Sequence, residues 1–157
     1  HAQKYNYKSI LILEDDAVIV NNFKEKFKKI FPYIPKDWDL LYLGVNNWHL
    51  DHEKPININK YICKLKGIRL KYKKKASNYR KMRYNTYNGG IWGTHALLMN
   101  RKCIDIFLDK VSPLTIPSDI LLGRLSTYYN LINAYYICDQ LINESSTIEN
   151  ISTTDNI

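Results

Sequence analysis

Three adjacent acids, Glu14, Asp15 and Asp16, follow directly on four apolar residues in the stretch SILILEDDAVIVNNF. An apolar run of this kind reads as a buried strand, and a strand sends successive side chains to opposite faces. In an extended chain Glu14 and Asp16 therefore share one side and Asp15 takes the other. Two carboxylates converging beside apolar surface repel, and each disfavours the other's ionised form. A divalent cation removes that conflict and takes oxygen ligands. The same acids also fit an exposed turn or the start of a helix, where negative charge is favoured. Spacing alone leaves these readings level.

The second charged feature is basic. Residues 60–83, KYICKLKGIRLKYKKKASNYRKMR, hold eleven Lys or Arg and no acid. Subtracting that block from the total of +8 leaves the rest of the chain near −3. A solvated loop explains such a run. An anion-binding surface explains it too, for a diphosphate, an acidic acceptor, a membrane headgroup or a nucleic acid. Nucleic acid is not expected, because no recognition motif accompanies the charge.

Regular elements must position these groups. After the acids, Phe23, Phe27, Ile30 and Phe31 recur at helical spacing, with Asn21 or Asn22 to cap the helix and Pro32 and Pro35 to end it. DWDLLYLG reads as a short buried strand over residues 40–43, stopped by Gly44. Residues 45–87 are polar, basic and poorly periodic, an excursion with one or two edge strands. A strand at residues 96–99 follows Gly89, Gly90 and Gly93, and Asn100 caps a helix expected to bury Ile104, Phe107, Leu108 and Val111. A further helix spans residues 118–129, and AYYICD is the last strand before a polar tail at 145–157. Strands alternating with helices, several of them continuously apolar, predict an α/β layer with a mainly parallel sheet. Ligands of such sheets gather at the carboxyl ends of the strands, where the three acids stand.

At 157 residues the chain is read as a single domain, 1–157. No apolar run approaches the roughly 20 residues of a membrane span, and the opening HAQKYNYKS does not read as a signal peptide. A cytoplasmic location is therefore expected. Cys63, Cys103 and Cys138 are odd in number and lack zinc spacing, so buried free thiols are expected. Two sequons, Asn143-Glu144-Ser145 and Asn150-Ile151-Ser152, matter only in a secreted chain.

Taken in order, ILEDDAVIVNNF, DWDLLYLG, GTHALLMNRK and PSDILL resemble glycosyltransferase family 25, which includes lipooligosaccharide and procollagen galactosyltransferases. The resemblance runs over residues 8–148 and is carried by four motifs in sequence. It implies a GT-A-like α/β domain that transfers a sugar, galactose or glucose, from a UDP-sugar to a hydroxyl of a glycan or hydroxylated protein, with inversion. It further implies Mn²⁺, or another divalent cation, held by Asp16 and Glu14 against the donor diphosphate, with Glu14 and Asp15 also contacting the donor. Asp119 matches the family's acid in PSD and is the candidate general base, although an acid at a helix start serves that helix as well. Collagen-type members place a second acid after it, where this chain has Ile120. His95 matches the bacterial-type motif, either lining the acceptor side or bonding within the core. Gln140 falls in the segment where relatives contact donor or acceptor, and Trp38, Trp48 and Trp92 offer faces for sugar stacking.

Relatives carry further strands and helices before the acidic motif, whereas thirteen residues precede it here. The expected architecture is accordingly N-terminally shortened, with an unpaired sheet edge open to self-association or to pairing with a missing N-terminal portion. Two other functions remain in view. One is a catalytically inactive glycosyltransferase-like binding domain, or half of a split enzyme; the other is a basic module for anionic polymers.

Overall fold

The structure, a computed structural model, describes residues 1–44, 56–64, 68–69, 87–88, 95–113, 115–138 and 141–145. In chain order the elements are β1 (Ser9–Leu13), β2 (Ala17–Ile19), α1 (Phe23–Ile30), a 3₁₀ turn (Phe31–Tyr33), β3 (Leu40–Tyr42), β4 (Ile56–Asn57) and β5 (Ile62–Lys64). Then come β6 (Ile68–Arg69), β7 (Tyr87–Asn88), β8 (Ala96–Asn100), α2 (Arg101–Val111), α3 (Ser118–Thr127), β9 (Ala134–Ile137) and β10 (Ile142–Glu144).

Six strands form one sheet in the order β1-β8-β3-β9-β5-β4, and two small ladders pair β10 with β2 and β6 with β7. The sheet is mixed, not mainly parallel: β3 and β9 pair in parallel, and every other ladder is antiparallel. The cause is β8. It lies between β1 and β3 but runs against both, with Leu98 opposite Leu11 on one side and Leu41 on the other. The directions of β1, β3 and β9 therefore still agree, and their carboxyl ends meet at one edge of the sheet.

β3 is the central strand, and its alternation builds both sides of the core. Leu40 and Tyr42 pack with Leu97, Met99, Cys103, Leu122, Leu125 and Tyr136 under α2 and α3. Leu41 and Leu43 pack with Ile30, Tyr135, Ile137 and Leu141, against Phe23 and Phe27 of α1. The two phenylalanines stack at 5.8 Å, one helical turn apart. Phe31, expected on the same face, enters the 3₁₀ turn and is 56% exposed. In α2 Ile104 is buried and Phe107 and Val111 pack on the core, but Leu108 is exposed.

β1 departs from expectation most clearly. The run Ile10 to Leu13 reads as a buried strand, yet Leu11, Ile12 and Leu13 are 46%, 39% and 41% exposed. β1 is the last strand of the sheet, covered by β8 along one edge only.

The end of the sheet opposite the acids is fixed by Asp39. Its carboxylate is buried, accepting from Lys102 Nζ at 2.7 Å, the Asn133 amide at 2.8 Å and Asn100 Nδ2 at 3.1 Å. Asn100 also caps α2 as expected, its Oδ1 accepting from the Cys103 amide at 2.9 Å. Asn22 stands at the N-cap of α1, but with a left-handed backbone and no side-chain cap bond.

Candidate functional site

The acids do not continue β1 in extended form. The Glu14 N–H still donates to the His95 carbonyl at 3.0 Å, which closes the ladder with β8. The Glu14 carbonyl then accepts the Ala17 N–H at 3.2 Å, so residues 14–17 form a turn. The expected split of Glu14 and Asp16 from Asp15 fails for this reason: side chains of a turn do not alternate about a sheet. Glu14 and Asp15 are exposed, whereas Asp16 is half-buried. The Asp16 carbonyl accepts the Ser145 N–H at 3.0 Å, and β10 pairs with β2 immediately beyond, Glu144 opposite Ala17. β10 therefore holds the acidic turn from its second side. That strand was not legible as one, because its short apolar start runs into INESS.

His95 precedes β8 and is buried, 2% exposed. Its imidazole lies against Gly44, which follows β3. A Cβ on Gly44 would collide with the Ile142 carbonyl oxygen and with His95 Nε2. Glycine is needed there for close approach, in addition to ending the strand.

Tyr42, the last residue of β3, was not among the expected site residues. Its phenol is fully buried among apolar side chains of the helical face. Burial raises its pKa well above the usual phenol value, with further contributions from Cys103 and from Asp119. Asp119, in the first turn of α3, thus lies within electrostatic reach of the Tyr42 hydroxyl. The Asp119 carboxylate accepts the Ile120 N–H at 2.7 Å, consistent with service to its own helix start. The signal for Tyr42 is present in LLYLG, where one hydroxyl stands inside an otherwise apolar strand.

Among the described residues, four buried side-chain atoms lack a hydrogen-bond partner: Asp16 Oδ1, Tyr42 Oη, His95 Nδ1 and His95 Nε2. Buried polar groups in folded proteins are nearly always paired. Here the exceptions are not scattered. All four belong to residues at the carboxyl-end edge of β1 and β3, where β8 begins. This end of the sheet thus carries a carboxylate oxygen, a hydroxyl and an imidazole, each buried without a partner, and exposed Glu14 and Asp15 adjoin Asp16 in the turn.

No group of three or more His, Cys, Asp or Glu is arranged to hold a metal among the described residues. Asp16 Oδ1 is nevertheless a buried acceptor without a donor, which a hard cation with further non-protein oxygen ligands would satisfy. Gln140, Trp48, Trp92 and most of the basic block lie outside the described residues. Trp38 packs on the core beside α1, which fits a strand start rather than a sugar platform. Lys60, the first cation of the basic block, sits over the Tyr61 ring at 4.7 Å and the Tyr33 ring at 5.9 Å. Cys103 is a buried free thiol as expected, and Cys138 is half-buried. No helix among the described residues is long and apolar enough to cross a membrane.

Residues 1–122 match the family model for glycosyltransferase family 25 (LPS biosynthesis protein). Comparison with curated proteins returns no match. The matched span takes in the acidic turn, Tyr42, Gly44, His95 and Asp119, and ends before β9 and β10.

Proposed function

This chain belongs to glycosyltransferase family 25, and we propose that it transfers galactose or glucose from a UDP-sugar to a hydroxyl of a glycan or protein acceptor, inverting the anomeric carbon with the help of Mn²⁺ or a similar cation. The observation that supports this reading is that the unpaired buried polar atoms of Asp16, Tyr42 and His95 all belong to residues at the end of the sheet where the acidic turn stands. A cost of that kind is offset when a ligand supplies the missing partners.

In this reading Asp16 holds the cation, with Glu14 beside it and Asp15 and Gln140 toward the donor. A bound cation supplies positive charge against the departing diphosphate. Asp119 takes the proton of the acceptor hydroxyl as its oxygen bonds to the anomeric carbon and the bond to UDP breaks. The unengaged ring nitrogens of His95 hold the acceptor side of the site.

UDP release from UDP-galactose and UDP-glucose, measured with lipooligosaccharide and hydroxylysine-peptide acceptors, tests this. Acceptor-dependent release that Asp119→Asn abolishes while leaving UDP binding intact is expected. Acceptor-dependent release unchanged in Asp119→Asn contradicts the assignment of the base.

A further inference from the structure

Two exposed aromatic pairs, Tyr5 with Tyr7 and Tyr128 with Tyr129, are made by near neighbours in the chain. A third pair is assembled from distant segments. Tyr33 ends the 3₁₀ turn after α1, Tyr61 precedes β5, and their ring centroids stand 4.9 Å apart with the planes tilted by 59°. One side chain joins the two segments. Asn59 Nδ2 donates to the Tyr33 carbonyl at 3.0 Å, while Asn59 Oδ1 accepts the Tyr61 and Ile62 amides at 2.9 and 3.0 Å. The rings are therefore held in place before anything binds, which lowers the ordering cost of binding. Tyr33 nevertheless stays 45% exposed, and Phe31 and Ile58 of the same two segments are 56% and 44% exposed. Contiguous open apolar surface of this kind marks an interaction site.

Charge narrows the ligand. Lys60 Nζ lies 4.7 Å from the Tyr61 centroid and 5.9 Å from that of Tyr33. Lys60 also opens the run of residues 60–83, which contains no acid. An ammonium beside open aromatic faces suits a ligand that has both a flat apolar face and negative charge. A sugar ring offers its C–H face to the electron-rich ring face, and a carboxylate or phosphate on it takes the ammonium. Stacked bases lie parallel, so two planes at 59° do not carry successive nucleotides. Successive pyranoses turn about their glycosidic bonds and can follow the corner. Position agrees. The Tyr61 carbonyl accepts the Cys138 N–H at 2.8 Å, just past the carboxyl end of β9 and thus at the same end of the sheet as the acidic turn. Four strand spacings separate β1 from β5, roughly 20 Å, a span that an oligosaccharide covers and a monosaccharide does not. We propose that Tyr33, Tyr61 and Lys60 dock an acidic oligosaccharide, gripping an acceptor by sugars remote from the reacting hydroxyl; its part in transfer rests on the glycosyltransferase reading above.

Calorimetric titration of the whole chain, without UDP or Mn²⁺, tests docking apart from catalysis. Tetragalacturonate and mannopentaose phosphate are the probes, one carrying carboxylates and the other a phosphate. Maltotetraose is the neutral control and oligothymidylate the nucleic-acid one. Saturable binding of an acidic probe, tighter than that of maltotetraose, is expected, and the probe that binds identifies the anion. Tyr33→Ala should weaken it about tenfold, and Tyr33→Trp should retain it. Lys60→Met should remove the advantage over maltotetraose, about threefold, and at an exposed position it serves if Tyr33→Ala fails to fold. In transfer assays Tyr33→Ala should raise KM for a long acceptor while kcat and UDP binding hold. An inactive donor site would leave the titration unaffected, so the two readings fail separately. Acidic probes that do not bind at millimolar concentration would overturn the proposal. So would binding indifferent to both Tyr33→Ala and Lys60→Met, or tighter binding of oligothymidylate.

Discussion

The His95 carbonyl accepts the Glu14 amide at 3.0 Å, so the buried histidine and the acidic turn are joined through backbone rather than through their side chains. The bond lies at the point where β1 and β8 part. From it the chain turns through Asp15 and Asp16 on one side, while the His95 ring turns against Gly44 on the other. Anything that displaces His95 therefore displaces the acids as well.

Gly44→Ala tests that linkage. The added methyl has no room against the Ile142 carbonyl and the His95 ring, and a carbonyl within the Leu43–Leu141 connection cannot yield cheaply. A loss of about 2–3 kcal/mol in denaturant unfolding is expected, together with weakened nucleotide binding. An unchanged unfolding midpoint would show that the packing about Gly44 is looser than described.

Tyr42→Phe separates packing from chemistry. The ring stays, and only a buried hydroxyl without a partner is removed. Stability should hold or rise by up to about 1 kcal/mol. A destabilisation of about 2 kcal/mol or more would mean that the hydroxyl is paired in solution.

Asp39→Ala should act oppositely, destabilising without touching the site. It strips the acceptor from the Asn133 amide, from Asn100 and from Lys102 at the far end of β3. A loss of about 2–4 kcal/mol is expected by chemical denaturation, mostly from buried donors left unpaired, since Lys102 can reach water. A change below about 0.5 kcal/mol would contradict the role given to Asp39.

Much of this framework was legible in the sequence. β3, β8, β9, both long helices and the Asn100 cap follow from apolar runs and cap chemistry, which are local properties. The exposure of β1 was not, because SILIL looks the same in the middle of a sheet and at its edge. Nor was the antiparallel course of β8, since alternating strands and helices do not say which strand slips between which. The acidic turn was recognisable by composition, but its geometry depends on Ser145, a contact 129 residues away along the chain. Tyr42 escaped notice because a tyrosine in an apolar strand is ordinary until its hydroxyl proves to have no partner.

Alkaline titration probes the core. Burial, then the neighbouring Asp39 carboxylate, pushes the Cys103 thiol up to about 12. Burial, then a hydrogen bond to Asp37, pushes the Tyr135 phenol up to about 12, and Tyr42 is raised as well. Each group holds its proton more tightly folded than unfolded, so its stabilisation is complete below the unfolded pKa and lost as pH rises toward the folded one. Unfolding free energy should be level from pH 7 to 8 and decline from about pH 9 upward. At pH 8 the Cys103 thiol should also resist iodoacetamide until the protein is unfolded. Stability that stays level to pH 11 would contradict these shifts.

Calorimetry of UDP binding tests the donor site most directly, with Mn²⁺ and with chelator, on the native chain and on Asp16→Asn. Binding that requires both Mn²⁺ and the Asp16 carboxylate is predicted. UDP that binds equally well with chelator, or to Asp16→Asn, would contradict the assignment of the acidic turn, and absence of binding under every condition would contradict the donor site itself.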